Sequence, residues 1–199
     1  MRRTILAAVL LGSVWLSASA QAASYKIDPD HSTVEFTIRH LLSNVKGTFN
    51  DFSGGFTYTP DHPEQWKADA TIDAASIDTR VDKRDEHLRS KDFFDVQQFP
   101  ALTFQSTEVT DVTPTNAKLH GLLTIHGVQK PVVFDVAIHG VAKDPWGNTR
   151  ASFTATTIIN RKDFGLNWNK AVEAGQLLVG EEVLITLEIE GIEQSTGTA

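Results

Sequence analysis

Apolar and polar residues alternate one for one along most of this chain. Val34, Phe36 and Ile38 are separated by Glu35 and Thr37 and flanked by Thr33 and Arg39, the period of two that marks a strand with one apolar face. The alternation returns at Ala68, Ala70 and Ile72, and at Leu102 and Phe104 against Thr103 and Gln105. Leu119, Leu123 and Ile125 then oppose His120, Leu122, Thr124 and His126. Three further runs follow: Val132, Phe134, Val136 and Ile138; Phe153, Ala155, Thr157 and Ile159; Val183, Ile185, Leu187 and Ile189. Turn-forming residues bound them, among these Gly54-Gly55, Pro60-Asp61, Pro114-Thr115-Asn116, His126-Gly127, Gly140, Pro145-Trp146-Gly147-Asn148 and Gly180. The pattern predicts an all-β domain of about eight or nine strands, a number that favours a closed antiparallel barrel because closure removes exposed edges.

One segment departs from this period. Between Thr79 and Lys91 the charges take helical spacing, with Thr79 and Asp82 placed for a capping box and Asp85 and Arg89 for an i, i+4 pair. A short helix beside a barrel serves as a lid or plug, or as a solvated connector, and the spacing of charges fits both.

The first residues change the picture of where the protein works. Arg2 and Arg3 precede an apolar run over 5–16 and small residues over 17–23, the three parts of a cleavable secretory signal whose apolar run is too short for a stable membrane span. The expected cut follows Ala22, with Ala20 as the second register, and a lipoprotein is excluded because no Cys follows either. The domain organisation is then a signal over 1–22, one barrel over 23–192 and a short flexible tail over 193–199, with the periplasm as the expected compartment.

Composition narrows the chemistry. The chain has no Cys, which removes thiol chemistry, disulfide support and cysteine-type metal sites. Loss of Arg2 and Arg3 with the signal takes the formal net charge from −7 to −9, and a nucleic-acid partner is not expected without a cationic face. No G-x-S-x-G, G-x-G-x-x-G, Walker loop or H-E-x-x-H string is present. His120, His126 and His139 fall on polar strand positions, and His62 lies in a turn. His31, His40 and His87 are better placed, yet no two have the spacing of a zinc pair. His31 points to the face opposite Ser32 if this is strand, so it is no base for a serine nucleophile. No metal, cofactor or catalytic residue is expected.

Five strings carry a family resemblance: YKIDPDHSTVEFTIRH (25–40), SIDTRVDKRDEHLRSKDFFD (76–95), FPALTFQST (99–107), GLLTIHGVQKPVVFDV (121–136) and INRKDFGL (159–166). Together they resemble the YceI family of periplasmic, lipocalin-like proteins, across nearly all of the chain after the signal. The resemblance implies an extended eight-stranded antiparallel β-barrel with one short helix, holding a polyisoprenoid or similar long-chain amphiphile inside and performing no known enzymatic reaction. The implied role is binding, storage or transport of that lipid. The alternative class is a lipid- or quinone-linked enzyme, or an accessory factor of a membrane redox partner. Transient contact with a membrane or membrane protein accompanies both, and homodimerisation is left open.

Strand parity supplies the candidate ligand contacts. The inward positions mix large residues (Phe36, Phe104, Phe134, Phe153) with small ones (Ala68, Ala70, Ala155, Thr157). Such a face leaves a tunnel or interdigitates into a filled core; the resemblance favours the tunnel. The expected wall consists of Phe36, Ile38, Ala70, Ile72, Phe104, Phe134, Val136, Phe153 and Ala155. His40 and Arg161 extend two of these apolar faces to the barrel ends, where a polar head group would sit. Arg80, Arg84 and His87 add donors if the helix covers an opening. Arg84 and Arg161 have a competing assignment, as partners of Asp85 or Asp163 in structural ion pairs.

Overall fold

The computed structural model describes residues 23–171 and 178–194. The expected signal and the residues from 195 onward lie outside the described residues. Eleven strand segments form one sheet: β1 (Ala23–Ile27), β2 (Thr33–His40), β3 (Ser43–Phe49), β4 (Phe52–Tyr58), β5 (Lys67–Asp73), β6 (Ile77–Asp78), β7 (Ala101–Thr110), β8 (Asn116–Ile125), β9 (Val128–Lys143), β10 (Thr149–Asn160) and β11 (Val179–Glu193). Among the described residues one α-helix, α1 (Asp82–Arg89), is present, and it joins β6 to β7.

The segments make eight staves, because three are broken in the middle. β1 continues into β2 across a 3-10 turn at Pro29–His31, β3 into β4 across Asn50 and Asp51, and β5 into β6 across a 3-10 turn at Ala74–Ser76. Each stave is antiparallel to the next in chain order. The fifteen-residue β11 closes the ring on the first stave, pairing Leu187 with Val34 and Val183 with Ile38 at one end, and Lys26 with Ile192 at the other. This is the closed antiparallel barrel expected from the alternation, with the eight strands that the family resemblance implies. α1, the β2–β3 and β8–β9 turns and residues 161–171 lie at one end of the barrel, here the helix end. The loop 59–66 and the β7–β8 and β9–β10 hairpins lie at the other, the hairpin end.

Polar side chains tie the breaks to the rest of the wall. Ser32 is buried; its hydroxyl donates to the Glu190 carbonyl and accepts from the Glu190 N–H, stitching the β1–β2 break to β11. Nearby, Arg150 donates to Asp28 (2.7 Å), Asp144 (2.9 Å) and Glu190 (2.6 Å), so one guanidinium joins the break, the β9–β10 hairpin and β11. Burial works to raise the Asp144 carboxyl, but hydrogen bonds from Asn148, Arg150 and two backbone N–H groups hold it well below the usual carboxylate range. The Arg150 hydrogen bond likewise depresses Asp28.

Several local expectations are corrected. Gly54-Gly55, Gly140 and Gly180 lie within β4, β9 and β11 rather than in turns. A Cβ on Gly54 would fall 2.2 Å from the Asp69 carbonyl oxygen, so the glycine marks close approach of β5, not a chain reversal. Gly140 pairs with Ser152 at a β-bulge in β9, where His139 is the extra residue before Ile138 pairs with Phe153. Thr79 does not form a capping box with Asp82: the α1 N-cap is Val81, without a side-chain bond. The Thr79 N–H and hydroxyl instead both bond to the buried Asp85 carboxylate, the backbone bond at 2.9 Å. Asp85 is therefore not the i, i+4 partner of Arg89, which donates to the carbonyls of Ala75 and Ile77. The helix is seated on the barrel by these bonds to the chain around β6.

Candidate functional site

The inward face encloses a cavity of about 500 Å³ that extends between the two ends of the barrel, within the range of sites that hold one small amphiphile. Two features of the wall keep it open. First, small residues stand where rings would otherwise collide. Phe36 is paired across the ladder with Gly47, and a Cβ on Gly47 would lie 2.5 Å from Phe36 Cζ. On the opposite side the Phe104 ring covers Gly121 in the same way, at 2.4 Å. Each ring thus lies over the adjacent stave instead of reaching across the lumen. Second, aromatic side chains pack on one another: Phe104 meets Phe134 edge-on at 5.4 Å, and Phe153 meets Phe56 at 5.2 Å and Tyr58 at 5.0 Å.

The nine residues of the expected wall, His40 and Arg161 lie on this cavity, as does Ala68, whereas Thr157, also expected to face inward, is not on it. Phe36, Ile38 and His40 line it from β2, Ala70 and Ile72 from β5, and Phe104 from β7. Phe134 and Val136 come from β9, Phe153 and Ala155 from β10, and Arg161 from the 3-10 turn that follows. From Phe153 to Arg161 the chain advances about 26 Å, roughly 20 Å along the axis of a barrel with the usual strand tilt.

The hairpin end is aromatic. Tyr58 packs against Trp66 at 4.8 Å, and the Trp66 indole N–H donates to the Thr59 carbonyl. The helix end carries both arginines and both histidines of the cavity wall, while Lys67 and Asp69 line it from the first half of β5, toward the hairpin end. Arg84 lines the cavity from α1, donating Nε to the Thr79 hydroxyl and Nη2 to the Thr79 carbonyl, both at 2.7 Å. His87, also on α1, bonds Asp92 at 3.0 Å and sets its ring edge-on to Phe93 and Trp168. Arg80 is exposed and absent from the cavity wall.

Arg161 is 3% exposed. Its Nε donates to the Gly180 carbonyl at 2.7 Å, and its Nη1 to the carbonyls of Trp168, at 2.9 Å, and Leu166. Its Nη2 has no hydrogen-bond partner among the described residues. Burial lowers the tendency of this guanidinium to hold its proton, against a smaller opposing influence from Glu181. The ion pairs weighed for Arg84 and Arg161 with Asp85 and Asp163 are absent among the described residues: Asp85 is taken by Thr79, Arg84 donates to the Thr79 hydroxyl and carbonyl, and Arg161 donates to backbone carbonyls.

Sequence reasoning missed Trp66, Phe93, Phe94 and Trp168, all on the cavity. They lie in connections, where strand parity assigns no direction; only the paired rings of Phe93-Phe94 in a polar stretch offered a signal. The three acidic or imidazole ligand atoms that come within 4.8 Å of one another, on Asp28, His31 and Glu190, do not make a free cation site. Arg150 Nη1 already bonds both carboxylates.

Comparison with known proteins agrees with this architecture. A UPF0312 protein of Ectopseudomonas mendocina is 41% identical over 197 residues, covering 98% of this chain and 100% of the relative. The crystal structure of Burkholderia cenocepacia BcnA superposes with a TM-score of 0.72 at 25% identity, covering 82% of this chain and 98% of that one. A polyisoprenoid binding domain from Saccharophagus degradans has the same fold, with a TM-score of 0.64 at 16% identity over 87% of this chain and 99% of that domain. The model of the YceI-like domain matches residues 25–191, which span every stave of the barrel, and the chain belongs to the YceI family.

Proposed function

We propose that this protein binds a polyisoprenoid or similar long-chain amphiphile inside its barrel and stores or transports it in the periplasm. The observation that carries this reading is the continuous apolar cavity, walled by every stave and long in one direction. A slender chain fits such a shape, and each methylene it buries contributes about 0.8 kcal/mol. Phe36, Ile38, Ala70, Ile72, Phe104, Phe134, Val136, Phe153 and Ala155 contact the chain, while His40 and Arg161 stand at the polar end. The polyisoprenoid binding domain of S. degradans supports the ligand class through its shared fold. Binding rather than catalysis is favoured because apolar side chains make up most of the wall.

Transfer to a membrane surface belongs to the same reading. Leu42, 88% exposed, and Leu41 form the tip of the β2–β3 turn at the helix end, and the Leu41 N–H bonds the carbonyl of Leu178, a cavity-lining residue. This places exposed apolar side chains beside the polar end of the cavity.

Native mass spectrometry of protein purified from the periplasm without detergent, followed by organic extraction, tests the proposal. A co-purifying long-chain lipid is the expected result. Ligand-free protein that takes up no prenyl lipid when one is added would contradict it.

A further inference from the structure

Arg161 carries five N–H donors, and three of them are spent on the carbonyls of Gly180, Leu166 and Trp168. Arg161 lines the cavity, and the two on Nη2 are buried with no partner among the described residues. Buried donors are almost always satisfied, and a charged donor left without an acceptor is among the costlier exceptions. The charge is also locally unbalanced: no carboxylate of the described residues forms an ion pair with Arg161. Glu181, the acid that most influences it, is held by Lys162.

The rest of the cavity shows the same asymmetry. His40, Arg84 and His87 line it at the helix end, with Arg161. The acids that reach it, Glu35 and Asp69, sit away from that end. Glu35 lies mid-strand on β2 and is bonded by Lys46; Asp69 lies in the first half of β5, toward the hairpin end. Lys67 also lines the cavity, from the start of β5 at the hairpin end; the helix end is set apart by its two arginines, Arg84 and Arg161, with no carboxylate of the described residues on the wall there.

We infer that the Arg161 Nη2 donors form the head-group site of the tunnel, and that the preferred ligand is an amphiphile with an anionic oxygen head, a phosphate or a carboxylate, over the neutral alcohol or quinone of the same chain. The inference rests on the carrier reading above and refines its ligand class. An anionic oxygen supplies both the missing acceptor and the missing charge, and a guanidinium presents paired hydrogens suited to such a head. A neutral oxygen supplies only the acceptor.

The test is a fluorescent-lipid displacement titration on delipidated protein with chain-matched competitors, geranylgeranyl phosphate and geranylgeraniol, alongside palmitate and inorganic phosphate. The expected result is that the prenyl phosphate competes at least about tenfold more tightly than the alcohol, the margin of a charge-assisted hydrogen bond. Palmitate also competes, whereas inorganic phosphate at the same concentration does not, because the chain supplies most of the affinity. Arg161→Met is expected to bring the phosphate down to the alcohol's level while the alcohol changes less than about twofold. Wild-type affinities that do not distinguish phosphate from alcohol overturn the inference, as does an Arg161→Met protein that loses both ligands alike. Displacement by inorganic phosphate alone overturns it in favour of a free-anion site. If Arg161→Met does not fold, having lost three carbonyl contacts, the wild-type phosphate-to-alcohol ratio decides the matter alone. Failure of both prenyl probes to bind would instead count against the carrier reading itself.

Discussion

Phe36 on β2 lies directly over its ladder partner Gly47 on β3, so closely that a Cβ on the glycine would fall 2.5 Å from the ring. The pair explains how a wall rich in phenylalanine surrounds an open lumen: the ring spends its volume over the adjacent backbone. Gly47→Ala is expected to force the ring inward or the strands apart, at a cost of about 1–3 kcal/mol of stability. Chemical denaturation of the delipidated protein measures this, and lipid uptake is expected to fall in parallel. An alanine variant equal to wild type in both would show that the ring has room to move.

The Thr79–Asp85 contact anchors α1 on the barrel. Asp85→Ala removes the acceptor of the Thr79 N–H and hydroxyl, and leaving buried donors unpaired costs about 1–3 kcal/mol. The expected outcome is a lower Tm together with faster proteolytic cleavage within 79–100. Unchanged cleavage there would mean that the bonds from Arg89 to Ala75 and Ile77 suffice to hold the helix.

The Arg150 cluster gives a pH signature. Asp144 and Asp28 both have depressed carboxyl pKa values in the folded protein, so their contribution is fully present above the unfolded carboxylate range near pH 4 and is lost as pH falls below it. Asp144→Asn is therefore expected to lower Tm at pH 7, and the gap from wild type is expected to narrow by pH 3. A gap that stays constant between these two pH values would remove the Asp144 charge from the account.

Strand parity made much of the wall legible from the sequence. The alternations at 33–39, 102–105 and 183–189 assign inward faces that the barrel retains, because a one-residue slip would turn every apolar side chain outward. Parity was silent where glycines and polar residues interrupt it. β3 and β4 read poorly because Gly47 and Gly54 stand where neighbouring rings or backbone come close, a tertiary cause with no local signature. Parity also carried His40 and Arg161 to the barrel ends but left the partners of Arg161 open between an ion pair and the pocket. The carbonyls it bonds come from residues 166 and 168 in the loop that follows it and from Gly180 on β11, main-chain contacts that the side-chain period of a strand does not report. Trp168 and Phe93 escaped for the same reason.

Lipid carriage inside the barrel requires the lumen to be an open tunnel, and Ala155 tests that most directly. It is buried on β10, paired with Val136 on β9 and Leu187 on β11, and all three face the cavity. Ala155→Phe places a ring in that volume. Stability by chemical denaturation and uptake by fluorescent-lipid displacement are to be measured on the same protein, with delipidation verified first because bound lipid stabilises the wild type by mass action. The tunnel predicts a lipid-free variant as stable as lipid-free wild type, with clearly weaker lipid uptake. A lipid-free variant destabilised by about 1–3 kcal/mol, as overpacking of a filled core demands, or one that takes up lipid as well as wild type, would contradict it.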